Sequence, residues 1–214
     1  MPAGAGGSFA ASAPRGFALT PEEARCGAKF SPRRMADFVL GRYCAVQALR
    51  GIGVGRHTIP PGEGRAPEWP PSIVGAISHT DGVAGALVAH RDAYLGIGLD
   101  LERLQPIGHL AEQICTAQEH AAATAADVPA EHLNVLFGAK EALYKCIWPL
   151  VRRFVAFDEV GLTLDFASRT FAVAANRTGD PRVGQVRGRW RIGFGIVAVS
   201  AILPAEAVGR GRPV

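Results

Sequence analysis

Near the middle of the chain, Leu95-Gly96-Ile97-Gly98-Leu99-Asp100-Leu101-Glu102 combines two carboxylates with a strict apolar alternation. On a strand, Leu95, Ile97, Leu99 and Leu101 would face one way, and Gly96, Gly98, Asp100 and Glu102 the other. Neighbouring carboxylates repel, and a hard divalent cation such as Mg²⁺ relieves that repulsion through oxygen ligands. The two glycines leave the acidic face without bulk, which reads as room for a ligand. The competing reading is a solvated strand end with two unconnected acids. A second group, Lys140-Glu141-Ala142-Leu143-Tyr144-Lys145, puts Glu141 and Lys145 one helical turn apart. As a surface pair they are worth about 0.2–0.5 kcal/mol. As a site, Glu141 completes a set of three carboxylates and Lys145 meets a phosphate. His79, in Ile77-Ser78-His79-Thr80, closes an expected strand, where a histidine serves structure as readily as function.

The elements that must position these groups are readable from caps and periodicity. Ser31-Pro32 is a hydroxyl cap followed by a first-turn proline, so a helix is expected from there to about Leu49, stopped by Gly51-Ile52-Gly53. The Gly- and Pro-rich stretch 55–71 reads as a loop. Strands are expected over 73–78, 83–90 and 94–102, separated by Asp81-Gly82 and Arg91-Asp92. Helical character returns over 110–126 and 131–148, the latter ending near Pro149, and strands follow over 155–166, 170–175 and 190–203.

A repeat at an offset of 98 pairs the stripe Met35, Phe38, Val39, Ala45, Val46, Leu49 with Leu133, Leu136, Phe137, Leu143, Tyr144, Ile147. Leu95-Gly96-Ile97 resembles Phe194-Gly195-Ile196 at nearly the same offset. This predicts an α/β protein of two similar, pseudo-twofold-related halves, with boundaries at 1–16 for a loose amino-terminal tail, 17–98 for the first half and 99–214 for the second. Both stripes hold a cation: Arg42 in the first, Lys140 in the second, with Arg34 at the first stripe's edge. An inward cation needs a partner, supplied either by an internal ion pair or by an anion held between the halves.

Composition narrows the classes. The 214 residues are 48% hydrophobic and 20% charged, which excludes a wholly disordered chain. The net charge of +4 suits a phosphorylated small molecule or an acidic protein. Aromatic residues are 7% with no basic–aromatic interleaving, so nucleic acid is not expected as a partner. Four cysteines without a C-x-x-C pair read as reduced thiols of a cytoplasmic protein. No apolar run has the length of a membrane span.

Together, Gly98-Leu99-Asp100-Leu101-Glu102 and Lys140-Glu141-Ala142-Leu143-Tyr144-Lys145 resemble the paired signature of phosphopantetheinyl transferases. Trp69-Pro70, Ile77-Ser78-His79, Arg34 and Gly41-Arg42-Tyr43-Cys44-Ala45 resemble the bacterial subgroup of enterobactin-type siderophore synthetases, and the resemblance runs from about Pro21 to Leu203. Gly138 stands where a serine is usual, and Thr80 where a cysteine is frequent.

The resemblance implies a pseudo-twofold enzyme that binds coenzyme A between its halves. Such an enzyme transfers the phosphopantetheine arm to a serine of an apo carrier protein and releases adenosine 3′,5′-bisphosphate. It implies Asp100, Glu102 and Glu141 as the Mg²⁺ ligands, Glu141 also as the base for the serine hydroxyl, and Lys145 at the leaving phosphate. His79, Arg34 and Arg42 would hold the nucleotide phosphates, with Ser78, Asp100 and Lys140 close by. Arg65 and the 67–69 segment would contact the adenine. A monomer is expected. A module that binds coenzyme A or a carrier domain without catalysis is the alternative reading.

Overall fold

A computed structural model describes residues 4–205. Ala5–Ala10 form strand β1, and the helices α1 (Pro21–Gly27) and α2 (Pro32–Gly51) follow. The cap of α2 is the expected one: the Ser31 hydroxyl accepts the Arg34 N–H, with Pro32 in the first turn. Strands β2 (Ile73–Thr80), β3 (Val83–His90) and β4 (Tyr94–Arg103) lie close to the expected bounds. Two short helices, α3 (Ala111–Ile114) and α4 (Ala117–Thr124), precede the long α5 (Pro129–Val151). The chain ends in β5 (Val160–Asp165), β6 (Thr170–Asn176), β7 (Arg187–Gly193) and β8 (Ile196–Pro204).

The strands form two sheets, β1-β3-β2 and β4-β8-β7-β6-β5, with all adjacent pairs antiparallel. Helix α2 packs on the first sheet through Ala45, Ala48 and Leu49. Helix α5 packs on the second through Leu136, Ala139 and Leu143. This is the expected pair of α/β halves. Between them, Val74, Ala76 and Leu87 of the first sheet meet Ile97, Leu99 and Leu101 of β4 in a shared apolar layer.

Several expectations are corrected. Of the loose tail over 1–16, residues 5–10 form β1, paired with β3 from Ala5↔Ala89 to Ala10↔Ala84; residues 1–3 lie outside those described. Its small side chains let it lie close against α2, where Gly6 approaches the Ala48 carbonyl. The boundary expected between residues 98 and 99 falls inside β4, which bonds along its length to β8. The single helix over 110–126 is broken at Cys115, where the Thr116 hydroxyl caps a new helix reciprocally with Glu119. Helix α5 does end near Pro149, running two residues past it to Val151 and stopping at Arg152 in a left-handed conformation. The long strand over 190–203 is a hairpin that turns at Phe194-Gly195, both with positive φ. The tripeptide match between Leu95-Gly96-Ile97 and Phe194-Gly195-Ile196 therefore equates a strand with a turn, and only the helix repeat is structural.

Candidate active site

Strand β4 carries Asp100 into the interior, 2% exposed, on the face that meets α5. That face is not empty. A Cβ on Gly96 would lie 1.9 Å from the Cys146 carbonyl oxygen, and one on Gly98 would lie 1.8 Å from that of Ala142. The glycines thus admit the backbone of α5 rather than a ligand, which corrects the expectation of ligand room there. Because the helix lies directly on the strand, the next residues along both elements converge. Asp100 and Glu102 follow Gly98 on β4, while Glu141 and Lys145 flank Ala142 on α5. Leu95 departs from the expected alternation: an irregularity between Tyr94 and Gly96 turns it toward the α5 core, away from the layer of Ile97, Leu99 and Leu101.

Lys145 does not pair with Glu141 as an i,i+4 partner. Its Nζ donates to Asp100 Oδ1 at 2.6 Å and to Ser78 Oγ at 3.3 Å. Ser78, 6% exposed at the end of β2, donates to Asp100 Oδ1 at 3.1 Å and accepts the Leu101 N–H at 3.1 Å. One serine thus ties the two sheets together at the acid. Asp100 Oδ2 is buried without a hydrogen-bond partner. Burial, together with the charges of Asp100 and Glu141, pushes the Glu102 carboxyl up to about 7, although Lys145 opposes this. Glu141 is raised by burial, with Lys145 opposing and Asp100 adding to it.

These observations bear on a metal. Among the described residues, no three His, Cys, Asp or Glu side chains are yet drawn together tightly enough to hold an ion. Asp100, Glu102 and Glu141 nevertheless repel one another around a buried carboxylate oxygen that nothing satisfies. Their hard oxygen donors fit Mg²⁺.

Lys145 also borders a cleft of about 690 Å³ between the halves. One side is the loop over 62–69 with Ile73–Ile77 of β2; the other is the end of α5, with Tyr144, Trp148 and Arg152. Gly64, at φ 60°, sits under Trp148, where a Cβ would come within 2.6 Å of the ring. Arg65 lines this cleft, as do Pro67 and Trp69. Arg91, Tyr144, Trp148 and Arg152 also line it and were not legible in the sequence. Only the basic residue closing α5 beside a tryptophan was a usable signal.

Other expected site residues lie elsewhere. Lys140 is fully buried and donates to Glu119 Oε2 at 2.8 Å and to the Phe157 carbonyl at 2.6 Å. No ligand can reach it, so its expected role in coenzyme A binding is corrected to an internal ion pair. Glu119 completes that arrangement by accepting the Leu162 and Thr116 N–H groups. Arg42 is 6% exposed, its Nε on the Ile59 carbonyl at 2.7 Å and its guanidinium 4.1 Å from the Phe38 ring centre. The Ile59 N–H is taken by buried Glu23, so the backbone of one residue is clamped between the acid and the base. Burial lowers the Arg42 pKa to about 10 against the opposing charge of Glu23. Arg34 is exposed over Phe30, and His79 is half exposed with Nδ1 3.7 Å from Asp37 Oδ2. Neither lines the cleft.

Residues 22–89 match the family model of the 4′-phosphopantetheinyl transferase N-terminal domain, and residues 96–193 that of the 4′-phosphopantetheinyl transferase superfamily. The chain is 34% identical over 197 residues to 4′-phosphopantetheinyl transferase Svp of Streptomyces mobaraensis, covering 88% of this chain and 80% of that one. It is 33% identical over 204 residues to 4′-phosphopantetheinyl transferase PptT of Mycobacterium tuberculosis, covering 90% and 89%. Enterobactin synthase component D of Salmonella typhimurium matches at 35% over 118 residues, 53% of this chain and 48% of that one.

Proposed function

The chain belongs to the 4′-phosphopantetheinyl transferase superfamily, and we propose that the Asp100–Lys145 end of the cleft between its halves is where the transfer takes place. The enzyme moves the phosphopantetheine of coenzyme A to a carrier protein. The observation that carries the placement is the meeting of Asp100, Ser78 and Lys145, from three elements and both halves, at the border of a cleft of ligand size.

In this reading the nucleotide end of coenzyme A lies along the loop over 62–69, with Arg65 and Trp69 on one side and Trp148 and Arg152 on the other. An ammonium has three donors; Asp100 and Ser78 take two of Lys145's, leaving one for a phosphate oxygen of the scissile pyrophosphate. Glu141 accepts the proton of the attacking serine hydroxyl. Its raised pKa brings it nearer the operating pH, where a base is most effective. Asp100, Glu102 and Glu141 would hold Mg²⁺, which when bound supplies charge neutralisation at the pyrophosphate. In the same reading Arg34, exposed at the start of α2, and His79, exposed at the end of β2, hold the remaining phosphate. Arg42 and Lys140, both enclosed, keep structural roles.

The same proposal has the protein acting as a cytoplasmic monomer of the siderophore-synthetase subgroup. All four cysteines are free thiols, and no helix among the described residues is long and apolar enough to cross a membrane. The test is incubation with coenzyme A, Mg²⁺ and a panel of apo carrier proteins, followed by intact-mass measurement. Gain of one phosphopantetheine on a carrier, abolished in Glu141→Gln, is the expected result. Binding of coenzyme A without transfer to any carrier would instead fit a non-catalytic module.

A further inference from the structure

The second sheet has another face, turned away from α5. Strand β7 alternates: Gly188 and Trp190 are buried toward the α5 core, while Arg187, Arg189 and Arg191 are exposed on the opposite side. The register places Arg189 beside Ser200 of β8 and Thr170 of β6. Arg169, in the turn before β6, is held next to them, its carbonyl accepting the Trp190 N–H at 3.1 Å. The four arginines edge a cleft of about 1090 Å³ with Leu87, Leu99 and Ile202 among its lining, and Phe9 of β1, 53% exposed, borders it as well.

The charges here are distinctive. Every other arginine described in the second half, Arg103, Arg152, Arg153, Arg177 and Arg182, pairs with a carboxylate. Among the described residues, Arg169, Arg187, Arg189 and Arg191 have no such pair; Arg187 donates only to the Gly184 and Val186 carbonyls. The one acid lining the cleft, Asp165, is occupied by the Ser168 hydroxyl and by the N–H groups of Ala167 and Ser168. The fold therefore gathers four guanidinium groups around the recess against a single carboxylate, Asp165, that pairs with none of them.

We propose that this cleft binds an extended acidic peptide segment of a protein partner. Alternate residues of an extended chain lie about 7 Å apart on one side. This matches the spacing of Arg187, Arg189 and Arg191, themselves alternate residues of a strand. Carboxylates at alternate positions would meet the guanidinium groups, which suit carboxylates through paired N–H donors. Aliphatic side chains between them would point to the other side of the peptide, leaving the guanidinium face to the carboxylates. A peptide fits better than a single-stranded nucleic acid, whose bases need a succession of stacking surfaces, because of the three aromatic residues that line the cleft Phe9 alone is exposed, Phe171 and Trp190 being 2% and 3% exposed. The outer edge of β1 is unpaired among the described strands and offers backbone groups beside Phe9.

The experiment is fluorescence anisotropy of the full chain with a labelled peptide of alternating Glu and Val. Wild type is expected to bind it, and R189E/R191E to weaken binding at least ~10-fold, as charge-assisted hydrogen bonds are lost. R153E, which alters an arginine outside the cleft, should bind as wild type does. Circular dichroism melting establishes that the variants are folded, and R189Q/R191Q replaces the charge reversal should that variant not fold. Equal binding of a control peptide with Gln in place of every Glu, equal loss in R153E, or tighter binding of a single-stranded oligonucleotide with the same arginine dependence would each overturn the proposal.

Discussion

Lys145, on the long helix of the second half, lies 2.6 Å from Asp100 Oδ1 on the strand beneath it, and the two share the hydroxyl of Ser78 from the first half. The ammonium thus holds the charge of a carboxylate that is otherwise shut off from water. Lys145→Met should abolish transfer and also cost about 2 kcal/mol of stability. That is less than for a fully enclosed pair, because the lysine is 33% exposed. Asp100→Asn added to Lys145→Met should restore most of the stability and none of the activity. Denaturant melts and a carrier-loading assay on the three proteins check this.

Gly98 is where helix and strand come closest. Gly98→Ala puts a methyl group 1.8 Å from the Ala142 carbonyl oxygen, so α5 must move off β4. A loss of about 3 kcal/mol or more is expected, with activity lost even in protein that remains folded. Unchanged activity in a folded Gly98→Ala would contradict the view that this contact sets the site.

How much of this was legible beforehand differs by element. Ser31-Pro32 and the Gly51-Ile52-Gly53 stop define α2 locally, so that helix is readable from its own residues. That Asp100, Glu102, Glu141 and Lys145 come together was readable too, because their types and spacing are chemical. Gly96 and Gly98 were misread as space: what fills a face is decided by an element some forty residues away, and local periodicity carries no trace of it. For the same reason, Lys140 and Arg42 looked like ligand contacts. Their real partners, Glu119 and the Ile59 carbonyl, come from segments whose approach depends on the folded core. Phe194-Gly195 was lost within a run of apolar residues that hides a hairpin turn.

Glu102 makes a pH-dependent cost visible. Its carboxyl is raised to about 7 in the fold, against an ordinary value of 4.5. Between these values the unfolded chain has released the proton while the folded one holds it, so stability falls as pH rises through this window. Above pH 7 the penalty is complete. With a chelator present, Glu102→Gln should therefore melt higher than wild type at pH 8, and the difference should vanish by pH 4. Thermal scans at both pH values test it, and a gain independent of pH would assign the effect to something other than this charge.

The buried pair of Lys140 and Glu119 joins α5 to α4 and to the start of β5. Lys140→Met leaves an unpaired enclosed carboxylate and should cost about 3–5 kcal/mol. Coenzyme A affinity, measured by calorimetry well below the melting temperature, should stay at the wild-type value. A selective loss of that affinity in folded protein would return Lys140 to the ligand site.

The pairing of β4 with β8 has a consequence in time. The strand bearing Asp100 and Glu102 bonds to Ile196–Pro204, about a hundred residues later. During synthesis on the ribosome, β4 emerges long before its partner exists, and contacts so distant in sequence form late. The amino-terminal half, with β1, β2 and β3 all within its first ninety residues, can complete its sheet while the remainder is still being made. The acids of the site therefore wait on the last strand. A nascent chain interrupted before Ile196 would carry every residue of the site and yet leave the strand bearing Asp100 and Glu102 without its ladder partner.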